Sequence, residues 1–420
     1  MLALVVIMAI FLVWALVAGR LARWSITAPL AMAVAGIVLT HGPSPAFEIR
    51  LDTSTAEHWV EVVLAILLFV DATEVPGGIL GREPRLTLRL LGIALPLTFG
   101  LAVLAGYLVF PGTSFWLLAV LATIVIPIDL APAAAIVRDR RVPARLRDLL
   151  NVESGLNDGV VAPVFLFCLA AAQASDRGTV PLHALLDALP GIVIAIVVGG
   201  ALGYASAWII GKAWARGWTQ PSALRLGVAA LPLMTYGLSI VLHGNGFVAA
   251  FVAGAFFGSV ARKLPADALH LAEDTGTLFS LVVWFIFGLV VNQTMSDGIE
   301  LRVFGYGLLA LTVVRIVPVM ISLVGTNVGR SDTLFLGWLG PRGLASIVFG
   351  LLAYIGLPAP DNDLVGDVMV ATVLLSVVIH GLSFGPIAAW YGRRNQRLAT
   401  AADDPDDSAN DDDESGRPAS

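Results

Sequence analysis

Between Asn151 and Phe165 the chain reads N-V-E-S-G-L-N-D-G-V-V-A-P-V-F, which sets Glu153, Ser154, Asn157 and Asp158 inside a run otherwise apolar enough to cross a bilayer. On a helix, Ser154 and Asp158 lie one turn apart on one face, and Glu153 and Asn157 one turn apart on the neighbouring face. Gly155 and Gly159 make a small-xxx-small stripe that lets another backbone come close. Upstream, I-P-I-D-L-A-P brackets a second acid, Asp129, between Pro127 and Pro132. An ionisable group in hydrocarbon is costly, so an intramembrane acid is by default a functional-site hypothesis. Two carboxylates in one dry cavity cannot both ionise comfortably, so one of them is expected to hold a proton. A hard monovalent cation wants oxygen ligands. The two carboxylates, the Ser154 hydroxyl and a backbone carbonyl freed near Ile128 would supply them. One carboxylate that takes either a proton or a cation is sufficient chemistry for exchange.

The elements that position these groups are membrane spans. The 420 residues are 57% hydrophobic and 13% charged, where a soluble domain carries roughly 25% charged residues. Thirteen apolar segments are long enough to span, the fifth at 115–137, the sixth at 149–172, the eleventh at 302–325, the twelfth at 333–356 and the thirteenth at 366–391. Met1 to Ala18 is apolar without a basic leader, so it reads as a first span and not as a cleaved signal peptide. Alternate loops collect nineteen Lys and Arg on one side against three (Arg50, Arg177 and Arg302) on the other. The positive-inside rule then puts the N-terminus outside and the C-terminus in the cytoplasm, in the cell (inner or plasma) membrane. The formal charge of −6 arises mainly from eight acids between Asp403 and Glu414, an acidic run read as a disordered tail over 393–420. The single Cys168 excludes a disulfide within the chain and a cysteine metal site.

Two spans are interrupted in comparable places. The fifth breaks around Asp129, and the twelfth reads G-W-L-G-P-R-G, with Gly340, Pro341 and Gly343 around Arg342. Proline removes a helical hydrogen bond and glycine loosens the backbone, so both helices should break. Matching breaks in two halves point to a transporter's site. Each break falls in the fifth of six spans, which divides the chain into a first inverted repeat (1–172), a linker helix (173–222) and a second repeat (223–392). At about 1.5 Å per residue, Asp129, Asp158 and Arg342 all fall between the midplane and the cytoplasmic third.

Glu153 and Arg315 are expected to form an internal ion pair joining the sixth and eleventh spans. Arg342 is expected to neutralise carbonyl ends or carboxylates where the broken helices cross. Neutral Asn157 can donate a hydrogen bond without adding charge. His380, in the thirteenth span, reads as a satisfied core histidine ahead of a proton relay. Asp71, Glu74 and Asp187 read as capping or hydrated groups at least as readily as vestibule lining. Asn292-Gln-Thr294 fits a glycosylation sequon on the outer side.

E-S-G-L-N-D-G at 153–159, I-D at 128–129, Arg315 and G-P-R-G at 340–343 together resemble the NhaP/NHE-type monovalent cation:proton antiporters. The resemblance implies an all-α polytopic fold of thirteen helices in two inverted six-helix repeats with discontinuous helices 5 and 12, and a homodimer. It implies that Asp158 binds the cation and the proton, with Asp129, Ser154 and the Ile128 carbonyl as further ligands to Na⁺, or to Li⁺ or K⁺. Glu153 with Arg315 would be the buried structural pair. Ile128 departs from the threonine common in the family, which removes a hydroxyl ligand. Family members with N-D in place of two aspartates are generally electroneutral, so Asn157 suggests one cation for one proton. Cofactors are not implied, nor nucleic acid, nor enzymatic activity. The alternatives are an intramembrane aspartyl protease using Asp129 and Asp158, a channel, and a proton-coupled carrier of another substrate. The protease lacks a Gly-x-Gly-Asp-like run around either acid.

Overall fold

The computed structural model describes residues 2–23, 26–40, 54–73, 80–131, 139–176, 181–261 and 264–403. Every regular element among them is helical. That is the form a chain takes when hydrocarbon offers its backbone no hydrogen-bond partners. In chain order the helices are α1 Leu2–Arg23, α2 Ala28–Thr40, α3 Ser54–Thr73, α4 Pro84–Val109, α5 Phe115–Val125, α6 Ala144–Asp176 and α7 Pro181–Ala215. There follow α8 Pro221–Val241, α9 Gly246–Val260, α10 His270–Asp297, α11 Leu301–Ser322, α12 Arg330–Trp338, α13 Leu344–Gly356 and α14 Asp361–Asp403. Among the described residues seven helices are long and apolar enough to cross a membrane, and five further apolar helices are shorter.

The short apolar helices include both pieces that flank the breaks. α5 stops at Val125, and Pro127 begins a non-helical stretch that reaches Leu130. The apolar segment at 333–356 is two helices, α12 and α13, with Leu339 to Gly343 non-helical between them. Two other irregularities carry weaker sequence signals. α4 widens into a π turn over Leu90–Ala94, just ahead of Pro96, whose ring crowds the carbonyl four residues back. α11 is interrupted at Thr312, whose hydroxyl donates back to the Leu308 carbonyl at 2.6 Å, a bond that bends helices.

Helix contacts fall into two groups. α2, α3, α7, α8, α9 and α10 pack among themselves, and α4, α5, α6, α11, α12, α13 and α14 form the other set. Within the first group backbones touch. A Cβ on Gly36 would overlap α10 at the Phe285 carbonyl, one on Gly288 would overlap α2 at the Ala33 carbonyl, and one on Gly254 would overlap α3 at Phe69. Small residues permit this approach, and dispersion between the closely packed backbones holds it.

One expectation needs correction. The acidic tail does not begin at 393, because α14 continues to Asp403; R-R-N-Q-R-L-A-T-A-A is rich in strong helix formers. Residues 404–420 lie outside the described set. The sequon at Asn292 is helical, and its amide donates to the Thr40 carbonyl at 2.8 Å, closing the end of α2.

Candidate functional site

The two interrupted helices meet at their breaks and satisfy each other's loose ends. A helix that stops early leaves carbonyls at its C-terminus and N–H groups at the next N-terminus without partners. The carbonyls at the end of α5 receive Arg342, whose Nη1 donates to the Ile126 carbonyl at 2.8 Å and approaches that of Pro127 at 3.3 Å. The N–H groups at the start of α13 receive Asp129, whose Oδ2 accepts from Leu344 N at 2.7 Å. Its other oxygen, Oδ1, accepts from Ala131 N at 2.7 Å, and the Asp129 N–H donates to the Pro341 carbonyl at 2.8 Å. Each exchange puts a cation on a helix C-terminus or an anion on a helix N-terminus, the favourable sense of the dipole. Gly343 makes it sterically possible, because a Cβ there would fall on the Asp129 carboxylate.

α6 lies alongside. The Ser154 hydroxyl donates to the Ile128 carbonyl at 2.9 Å, so Ile128, Ser154 and Asp129 are gathered at one break. One turn on, Asp158 is buried, and its Oδ1 has no hydrogen-bond partner among the described residues. The charges that bear on Asp158 are those of Asp71 and Asp129 and the opposite one of Arg342. Asn157 is buried beside it, with an Oδ1 that is likewise without a partner. Phe251 of α9 lies where a Cβ on Gly159 would point. The small residue at 159 therefore admits a ring, whereas the sequence reading expected a backbone.

Glu153 and Arg315 meet in a two-pronged ion pair, with Nη1 to Oε1 at 2.6 Å and Nη2 to Oε2 at 2.9 Å. Both side chains are at most 4% exposed. Arg315 also donates to the Leu336 carbonyl at 3.2 Å, which ties α6, α11 and α12 together. His380 is held through both ring nitrogens by Ser376 and Trp338. Asp71, an acid near the end of an apolar helix, is near enough for its charge to be felt at Asp158. Glu74 lies outside the described residues, and Asp187 outside those whose side chains are described. No cluster of three or more His, Cys, Asp or Glu capable of holding a resident metal occurs among the described residues. The arrangement gathers a buried carboxylate, a hydroxyl and a backbone carbonyl beside the two breaks, an oxygen-rich set in an apolar surround.

Residues 5–390 match the family described as "Sodium/hydrogen exchanger, transmembrane". The chain is 25% identical over 347 residues to the K(+)/H(+) antiporter NhaP of Alkalimonas amylolytica, covering 78% of this chain and 56% of that protein. It is 26% identical over 364 residues to a Na(+)/H(+) antiporter of Schizosaccharomyces pombe, covering 78% and 76%. Among solved structures, the sodium proton antiporter MjNhaP1 of Methanocaldococcus jannaschii superposes with a TM-score of 0.75 at 20% identity, over 91% of this chain and 99% of that one.

Proposed function

Because the chain belongs to the sodium/hydrogen exchanger family, we propose that it is a secondary antiporter. It exchanges a monovalent cation, Na⁺ first and Li⁺ or K⁺ as alternatives, for H⁺ by alternating access, one for one. The observation that carries this reading is the buried Asp158 with an oxygen that has no hydrogen-bond partner among the described residues, placed beside the crossing of two interrupted helices. Protonated, Asp158 needs no counter-charge. Deprotonated, it offers a negative oxygen next to the Ser154 hydroxyl and the Ile128 carbonyl, and a cation replaces the proton. Arg342 and Asp129 keep the broken ends in register while this happens. Asp71 extends the acidic lining beyond Asp158.

A protease dyad would need both acids free to share a proton, whereas both oxygens of Asp129 accept backbone N–H groups. The relatives named for K⁺ and for Na⁺ support a monovalent cation without selecting one. The remaining parts of the reading follow the same likeness: two inverted six-helix repeats, a homodimer in the cell membrane surrounded by lipid, the N-terminus outside, and a part in pH homeostasis.

The test is reconstitution in proteoliposomes with a pH-sensitive dye and a series of Na⁺, Li⁺, K⁺ and Rb⁺. Wild type should discharge an imposed proton gradient when the preferred cation is added, and Asp158→Ala should not. Retained exchange by Asp158→Ala at equal protein would remove that carboxylate from its role.

A further inference from the structure

The break between α12 and α13 removes a particular hydrogen bond. In an uninterrupted helix the Arg342 N–H would donate to the carbonyl four residues earlier, that of Trp338. Here the Arg342 N–H donates to the Ser376 Oγ at 2.6 Å, and the Trp338 carbonyl faces His380 Nε2 at 3.0 Å. Ser376 and His380 sit one turn apart on α14, with Nδ1 3.2 Å from the Ser376 Oγ and 3.0 Å from the Ser376 carbonyl. The Ser376 oxygen accepts the Arg342 N–H, and the His380 ring bridges from the Ser376 hydroxyl and carbonyl to the Trp338 carbonyl. The path from the Arg342 N–H through Ser376 and His380 starts and ends on the two backbone groups that the break separated. Ser376, His380 and Arg342 are all buried, so an open link would leave a polar group without water.

We propose that Ser376 and His380 are positioning residues: a side-chain splint that replaces the lost backbone bond, fixes the span of the gap and so aims Arg342 at the α5 carbonyls. The splint rests on geometry alone, and its effect on transport rests on the antiport reading above.

The test uses full-length protein in proteoliposomes with Ser376→Ala, His380→Leu and His380→Gln, the last keeping a donor near the position of Nε2. Amide hydrogen exchange over a peptide covering 338–344 should speed up roughly tenfold in the first two variants, as expected for the loss of about one net hydrogen bond, and return toward wild type in His380→Gln. The apparent KM for the cation should rise about three- to tenfold in the same two variants with the maximal rate per folded protein unchanged. Unchanged amide exchange would overturn the splint. A fall in maximal rate with KM and exchange both unmoved would also overturn it, as that is the signature of poorer folding alone. Faster amide exchange in Ser376→Ala and His380→Leu, together with no cation transport by wild type, would leave the splint standing and sink the antiport reading instead.

Discussion

Arg342 and Arg315 show how differently two buried guanidinium groups are used. Arg315 meets a carboxylate with two parallel hydrogen bonds, a geometry that lysine cannot reproduce. Truncating either Glu153 or Arg315 to alanine strands a charge and should lower unfolding stability in detergent by about 3–5 kcal/mol. Replacing both with apolar residues of similar volume should lower it less. Among the described residues Arg342 has no carboxylate partner and is spent on carbonyls, so its truncation should disturb the end of α5 before global stability. At Gly159 the ring of Phe251 fills the space of a side chain. Gly159→Val should therefore impair folding or transport, and adding Phe251→Ala should recover part of the loss, measured as transport per folded protein. An acid and a base in neighbouring apolar spans point toward one another, so contact between Glu153 and Arg315 can be read from the chain. That Arg342 leans on Ser376, 34 residues away, cannot, because nothing local distinguishes that serine from any other in an apolar helix.

Among the helices, proline and glycine announce the breaks at 127 and 340–343, whereas the interruption at Thr312 and the π turn in α4 depend on neighbours and leave fainter marks. The backbone contact of α2 with α10 rests on Gly36 and Gly288. Gly288→Leu should push the two apart and lower unfolding stability by the roughly 1–3 kcal/mol typical of overpacking, read as a lower unfolding temperature. Gly276→Ala on the same helix meets only ordinary contacts, the nearest at 3.6 Å, and should be tolerated. Near the starts of α4 and α6 the Arg145 guanidinium hydrogen-bonds Glu83 and also donates to Asn327 in the turn between α11 and α12 at 2.9 Å. That hydrogen bond holds the Glu83 carboxyl below its ordinary value of 4.5. A lowered carboxyl contributes stability above its unfolded value and loses it as pH falls through the folded one. The thermal stability gap between wild type and Glu83→Gln should therefore be open at neutral pH and close below pH 4.5; both partners being partly exposed, it should be small.

At the scale of the molecule, helices joined backbone to backbone in one group face helices joined by buried polar links in the other. Backbone packing in one group, polar links in the other and side-chain contact between them, as at Phe251, suit the rigid-body alternating access proposed above. If one cation leaves for each proton entering, no net charge crosses. Exchange rates in proteoliposomes should then be indifferent to an imposed voltage, whereas one uncompensated charge would couple by about 2.3 kcal/mol per 100 mV. Spans and charge bias were open to inspection in the chain because lipid and the positive-inside rule act on composition; the pairing of helices into two groups was not, since it depends on which small residues meet.

Both oxygens of Asp129 are clasped by the chain itself, while one oxygen of Asp158 has no hydrogen-bond partner among the described residues. On the antiport proposed above, the two acids differ as a hinge pin differs from a latch: the first stays clasped, the second is emptied and refilled on every stroke. Damage at the pin should warp the door, and damage at the latch should leave a sound door that no longer opens.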